Sequence, residues 1–99
     1  MAKLTNKGTN GTSFHDVTIK TTLSKLIDVL GEPQCFQNDG SDKTNVDFEC
    51  ETEDGDVFTI YDWKEYRPIG LNEQIEFHIG GGNKDVTYQA KRELQNQLK

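Results

Sequence analysis

Val46-Asp47-Phe48-Glu49-Cys50-Glu51-Thr52-Glu53-Asp54-Gly55-Asp56-Val57-Phe58-Thr59-Ile60-Tyr61-Asp62-Trp63 is the stretch that decides the fold. Its first third alternates Val46, Phe48 and Cys50 with Asp47, Glu49 and Glu51. A period of two puts one set on a buried face and the other in water, the pattern of an antiparallel strand. Asp54-Gly55 then reads as a type I′ hairpin turn, which needs positive φ at its centre. Val57 to Trp63 is rich in β-branched and aromatic residues and returns as a second strand. Strands joined this tightly run antiparallel, and helices must cover one face of the sheet they start.

Downstream, Lys64 to Asn72 is a loop carrying Tyr66, Arg67, Pro68 and Gly70. Ile75, Phe77 and Ile79 alternate with Glu76 and His78 as a further strand, which Gly80-Gly81-Gly82 is expected to break. Asn83 or Asp85 can cap a last helix over roughly 85–98, with Val86, Ala90, Leu94 and Leu98 as its apolar stripe. Upstream, 34–43 is a loop. Phe14 to Lys20 is a strand with Val17 and Ile19 on one face and Thr18 on the other. Thr21 or Thr22 caps a helix over about 22–30, whose stripe is Leu23, Leu26, Ile27 and Leu30. Gly31 offers its C-cap and Pro33 forbids continuation. Residues 1–12 read as a flexible N-terminal arm and 13–99 as a single domain. The expected fold class is α+β: an antiparallel four-stranded sheet with two helices, in the order β-α-β-β-β-α.

A chain of 99 residues, 32% of them hydrophobic, makes one domain with a modest core. A homo-oligomer that covers the second sheet face is therefore expected. No run of about 18 apolar residues suggests a membrane span, and the N-terminus lacks the apolar stretch of a secretory signal. The sequon Asn10-Gly11-Thr12 then carries no meaning for glycosylation. Cys35 and Cys50 suit a reducing cytoplasm as inert structural thiols. A net charge of −6 argues against stable DNA binding. It leaves room for a small phosphorylated ligand held by a few cations and backbone N–H groups, or for docking a basic partner.

His15 and His78 lack any HxxxH, HExxH or CxxC context, so neither a metal nor a cofactor is expected. No nucleophile sits in a GxSxG-like turn, and Asp54 and Asp56 are turn residues, so the chain reads as a non-enzyme. The chemistry concentrates in Tyr61-Asp62-Trp63-Lys64-Glu65-Tyr66-Arg67, with three aromatics, two cations and two carboxylates. Aromatic faces stack on planar rings, and Arg grips phosphate with a bidentate fork. The same residues equally describe an aromatic strand packed inward with its cations in water. His78-Ile79-Gly80-Gly81-Gly82-Asn83 can present bare N–H groups to an anion at a helix start, or simply form a pliant turn.

Phe58-Thr59-Ile60-Tyr61-Asp62-Trp63-Lys64-Glu65-Tyr66-Arg67 followed by Phe77-His78-Ile79-Gly80-Gly81 resembles a set of small bacteriophage proteins. Ser13-Phe14-His15, Ile19-Lys20, Leu26 through Leu30-Gly31-Glu32-Pro33 and Asp42-Lys43-Thr44 extend the resemblance over roughly 13–94. That set often has Gly after the first His and Trp before the second, where this chain has Asp16 and Phe77. The resemblance implies a phage protein of the bacterial host cytoplasm that counters host immunity. One such group sequesters cyclic nucleotide signals. In that reading Trp63 or Tyr61 stacks on a base, and Lys64, Arg67 and the Gly80-Gly81 backbone hold phosphate. His15 and His78 donate to base or ribose, Asp62 orients a cation or ribose hydroxyl, and Phe14 and Lys43 complete the set. The alternative is an acidic protein–protein inhibitor of a host defence or metabolic enzyme.

Overall fold

The hairpin forms where the alternation places it. The structure is a computed structural model that describes residues 1–36 and 44–99. Its elements are β1 (Lys3–Leu4), β2 (Ser13–Thr22), α1 (Leu23–Leu30), β3 (Cys35–Phe36), β4 (Val46–Glu51), β5 (Val57–Tyr61), β6 (Gln74–Gly81) and α2 (Lys84–Gln97). β4 and β5 pair antiparallel with Phe48 opposite Ile60 and Cys50 opposite Phe58. Their turn is not the type I′ expected. Gly55 takes φ 87° while Asp54 stays at negative φ. The Gly55 N–H donates to the Thr52 carbonyl at 2.9 Å, and the Thr52 N–H to the Asp56 carbonyl at 2.9 Å. This is a three-residue loop closed by a left-handed glycine, so only one residue needs that freedom.

The long strands lie in the order β4-β5-β6-β2, all neighbours antiparallel. The α+β class therefore holds, but the sheet has more than four strands. β1 and β3 both pair with the outer edge of β4, Lys3 opposite Glu51 and Cys35 opposite Asp47. Two-residue strands are too short to show a period, which is why sequence patterning misses them. Between them Gln34 imitates a peptide group: its Oε1 accepts the Glu49 N–H at 2.8 Å and its Nε2 donates to the Glu49 carbonyl at 2.9 Å. The segment read as a flexible arm makes defined contacts of its own. Ala2 is buried, and Lys7 Nζ pairs with Glu51 at 2.8 Å.

Both helices are capped as their sequences suggest. Thr22 Oγ1 accepts the Lys25 N–H at 3.2 Å, and the Gly31 N–H returns to the Ile27 carbonyl at 2.8 Å. Asn83 Oδ1 accepts the Val86 N–H at 2.9 Å. Leu23 and Leu26 of α1, and Ala90 and Leu94 of α2, join Phe48, Phe58 and Phe77 in one buried cluster. α2 lies across β2, β6 and β5. Strand alternation turns Thr18, His78, Tyr61 and Asp47 to the opposite face, which neither helix covers. Among the described residues no helix is long and apolar enough to cross a membrane.

Two expectations about glycines change. β6 is not broken at Gly80; it runs through Gly81, with Gly80 between Thr59 and Phe14 and Gly81 between Phe58 and Ser13. A Cβ on Gly80 would stand 2.7 Å from Thr59 Oγ1, and one on Gly81 would stand 2.9 Å from Thr87 Cγ2 of α2. Close approach on the two faces, not a strand break, is what these residues serve. The other concerns Asp16. It sits where the register of β2 on β6 slips between Phe14 and Thr18, at φ 66°. A left-handed bulge residue is where glycine is freest, and Asp tolerates it at a cost. Asp16→Gly is expected to raise folding stability by about 0.5–1 kcal/mol, measured by urea denaturation. A lower midpoint would mean that the Asp16 side chain stabilises the bulge.

Candidate functional site

The helix-free face gathers rings from three strands. Phe14 on β2 stacks on His78 of β6, centroids 4.1 Å apart and planes 14° apart. Tyr61, the last residue of β5 and the cross-strand partner of His78, meets it edge-on at 5.5 Å. Trp63, just past the strand, lies 6.1 Å from His78 and 6.1 Å from Tyr61. These spacings are those of interacting aromatic pairs. The cluster is not core: Phe14 is 38% and Trp63 40% exposed. Lys64 follows at φ 56° and sets its Nζ 5.6 Å from the Trp63 ring centre, a cation–π distance. Burial lowers the pKa of His78, with nearby Glu76 opposing it, so the ring stays neutral and stacks as an aromatic at neutral pH.

Beside the rings lies an open hollow of about 290 Å³. Asp47, Thr59, Tyr61 and Gly80 form its sheet side, and Thr9 and Thr12 of the N-terminal segment its rim. At Gly80 the place of a side chain is taken by Thr59 Oγ1, 2.7 Å from where a Cβ would stand. Asp47 pairs directly across from Tyr61, so both side chains share the face. Its Oδ1 is buried and accepts no hydrogen bond from the described residues. Burial, and then Glu49 two residues on, raise the Asp47 pKa, and burial with the Asp47 charge raises that of Tyr61. Thr9 Oγ1 donates to Glu49 Oε1 at 3.1 Å, tying the rim to β4.

The other residues expected in the site go elsewhere. Asp62 is fully buried, where its Oδ1 accepts the N–H groups of Asn45 (2.7 Å) and Val46 (3.0 Å) and its Oδ2 accepts Asn45 Nδ2 (2.7 Å). It pins the start of β4 and, being fully buried, is out of a ligand's reach. Arg67 spends its guanidinium on a bidentate pair with Glu73 and a contact to Glu65 at 3.5 Å. That pairing, helped by the Gly70 N–H, pulls the Glu73 carboxyl down to about 2. His15 Nε2 is 3.1 Å from the Gly81 carbonyl and 3.3 Å from Ser13 Oγ, holding the bulged strand to the end of β6. Gly81 faces α2, and the backbones of both glycines pair in the sheet, which removes the anion cradle expected from them. Lys43 lies outside the described residues.

Phe14, Tyr61, Trp63 and His78 thus converge, and of the expected phosphate-holding groups Lys64 alone stands at the rings. No family model, curated protein or solved structure matches this chain. Sequence reasoning missed Asp47, Thr59 and the rim threonines. Asp47 looked like any solvated strand position, and only the hairpin register, placing it against Tyr61, marks it. Among the described residues no three His, Cys, Asp or Glu side chains gather to hold a metal ion.

Proposed function

We propose that this protein works by binding, without catalysis, a ligand that carries a planar heteroaromatic ring, and that the helix-free sheet face is where it binds. The observation that carries the reading is the exposed ring cluster of Phe14, Tyr61, Trp63 and His78. A small domain short of apolar residues leaves four rings outside its core, arranged beside a hollow. Stacking a base on such a platform stabilises a complex by about 1–3 kcal/mol per ring. The ligand class is a nucleotide. The proposed use is the sequestration of a cyclic nucleotide signal by a phage protein in the cytoplasm of its bacterial host. Arg67 is not the phosphate anchor in this reading, because Glu73 and Glu65 engage it. A homo-oligomer would bring a second protomer's cations across the open face and complete the site.

A second reading rests on a different observation. The carboxylates of Asp47 and Glu49 lie on the same sheet face as Tyr61, and carboxylates with aromatics suit the cationic side chains of a docked protein. That is the acidic inhibitor of a host enzyme.

A thermal-shift screen with cyclic mono- and dinucleotides separates them. A nucleotide that binds raises the melting temperature in proportion to its occupancy. Trp63→Ala is expected to keep the fold, since Trp63 is 40% exposed, and to weaken that ligand about 5- to 100-fold. Unchanged affinity in Trp63→Ala would remove the stacking reading. No shift with any nucleotide, together with co-purification of a host enzyme, would establish the second reading instead.

A further inference from the structure

Among the described residues nothing pairs with the outer edge of β2. In a strand bonded on one side only, alternate residues direct their N–H and C=O away from the partner. The register of β2 on β6 is regular from Thr18 to Thr22, before which the bulge at Asp16 interrupts it. At about 3.4 Å per residue, that stretch offers about 17 Å of open hydrogen-bonding edge. A groove of about 420 Å³ runs along it and is lined by every residue from Thr18 to Thr22. Consecutive strand residues point to opposite faces, so a hollow that touches each of them lies at the edge itself. Its walls carry three cations: Lys20 on the helix-free face, Lys25 of α1 and Lys91 of α2. None of the three forms an ion pair with a described residue. Glu76, the cross-strand partner of Lys20, is the one carboxylate among the described residues that line the groove. In a chain of net charge −6, this is a local excess of positive charge.

We propose that the outer edge of β2 binds an extended acidic segment of another protein, which joins the sheet as an added strand. Backbone hydrogen bonds to the stretch from Thr18 to Thr22 hold such a segment whatever its sequence, and the lysines select its charge. Carboxylates on one face of the added strand meet Lys20, and those on the other meet Lys25 and Lys91. The edge needs little ordering on binding, because Ile19 and Thr21 are buried on the helix side and fix the strand in place. A second copy offers the same edge but sets lysine against lysine, which costs affinity, and a basic segment does likewise. Lysine on an open edge also guards against unwanted pairing. That guard needs only Lys20; Lys25 and Lys91 reach the groove from the helices, off the strand. None of Phe14, Tyr61, Trp63 and His78 lines the groove, and binding there requires no nucleotide.

The test is fluorescence anisotropy with a labelled peptide of about eight residues that alternates glutamate and valine. One control peptide carries lysine in place of glutamate. The other keeps the glutamates but has every backbone nitrogen methylated, which preserves charge and removes the donors that a strand needs. The glutamate peptide is expected to bind at least about tenfold more tightly than either control. The double variant Lys25→Glu, Lys91→Glu changes two helix-surface positions and is expected to reverse the preference, so that the lysine peptide binds more tightly than the glutamate peptide. A misfolded variant would lose both peptides rather than exchange them, and circular dichroism checks the fold directly. Equal binding of the glutamate and lysine peptides, or an unchanged preference in the folded double variant, would overturn the acidic partner. Equal binding of the methylated peptide would overturn strand addition. If no peptide binds and sedimentation equilibrium shows a dimer, the edge belongs to a second copy. If no peptide binds and the protein is a monomer, the lysines serve only to keep the edge unpaired, and the proposal falls.

Discussion

Asp62→Ala is expected to lower folding stability by about 3–5 kcal/mol, a large share of the roughly 5–15 kcal/mol that holds a domain together. The side chain is fully buried and accepts three hydrogen bonds. Two come from the consecutive N–H groups of Asn45 and Val46, at the point where β4 begins. The third comes from Asn45 Nδ2, which also donates to the Arg67 carbonyl at 3.0 Å. Removing the carboxylate leaves two buried backbone donors without acceptors, and each orphan costs about 1–3 kcal/mol. It also frees the loop that carries Trp63. Asp62→Asn keeps an acceptor for the backbone pair but turns an amide against the Asn45 amide, so an intermediate loss is expected. Urea denaturation of the parent and both variants checks the order. Equal midpoints would show that water replaces the carboxylate without cost.

Phe77→Ala is the second large effect, at about 3–5 kcal/mol. Phe77 is fully buried on the helix side of β6, opposite Ile19 of β2. Its truncation opens a cavity in a core with few residues to collapse into it. The neighbouring position gives the control. His78 points to the open face and is only partly buried, so His78→Ala is expected to retain most of the stability while losing ring-ligand affinity. A thermal melt and a ligand titration on the same pair of variants distinguish core from site across one peptide bond. If both variants lost stability equally, the ring cluster would be part of the core and the site would have to be sought elsewhere.

That alternation is also why the sequence was informative where it was. Val46, Phe48 and Cys50, or Ile75, Phe77 and Ile79, declare a period of two, and the strands follow. Thr22 and Gly31 declare the ends of α1, Thr22 through its side-chain acceptor and Gly31 through the φ of 104° that glycine adopts without strain. β1 and β3 carry no period, and their pairing depends on an edge of β4 that exists only after folding. In the site, the aromatic members were visible as types but their company was not. Tyr61 and Trp63 belong to the face with His78 and Phe14. Asp62, between them, turns inward and becomes structural, and Arg67 finds Glu73 six residues on, a pairing that no strand or helix period announces. The two-residue turn read at Asp54-Gly55 would have set Asp47 against Asp62; the three-residue loop shifts the register by one and sets it against Tyr61. The unpartnered oxygen of Asp47 is a three-dimensional fact with no signature in the chain.

The two borders of the sheet are unlike. Along β4, the short β1 and β3 and the Gln34 amide occupy the outward peptide groups from one end to the other. Along β2, ten residues long, no described residue pairs with the outward side. Growth by adding strands can therefore proceed in one direction only. Two copies meeting β2 to β2 would consume each other's free border and leave nothing for a third, so such assembly terminates as a pair and does not propagate into filaments.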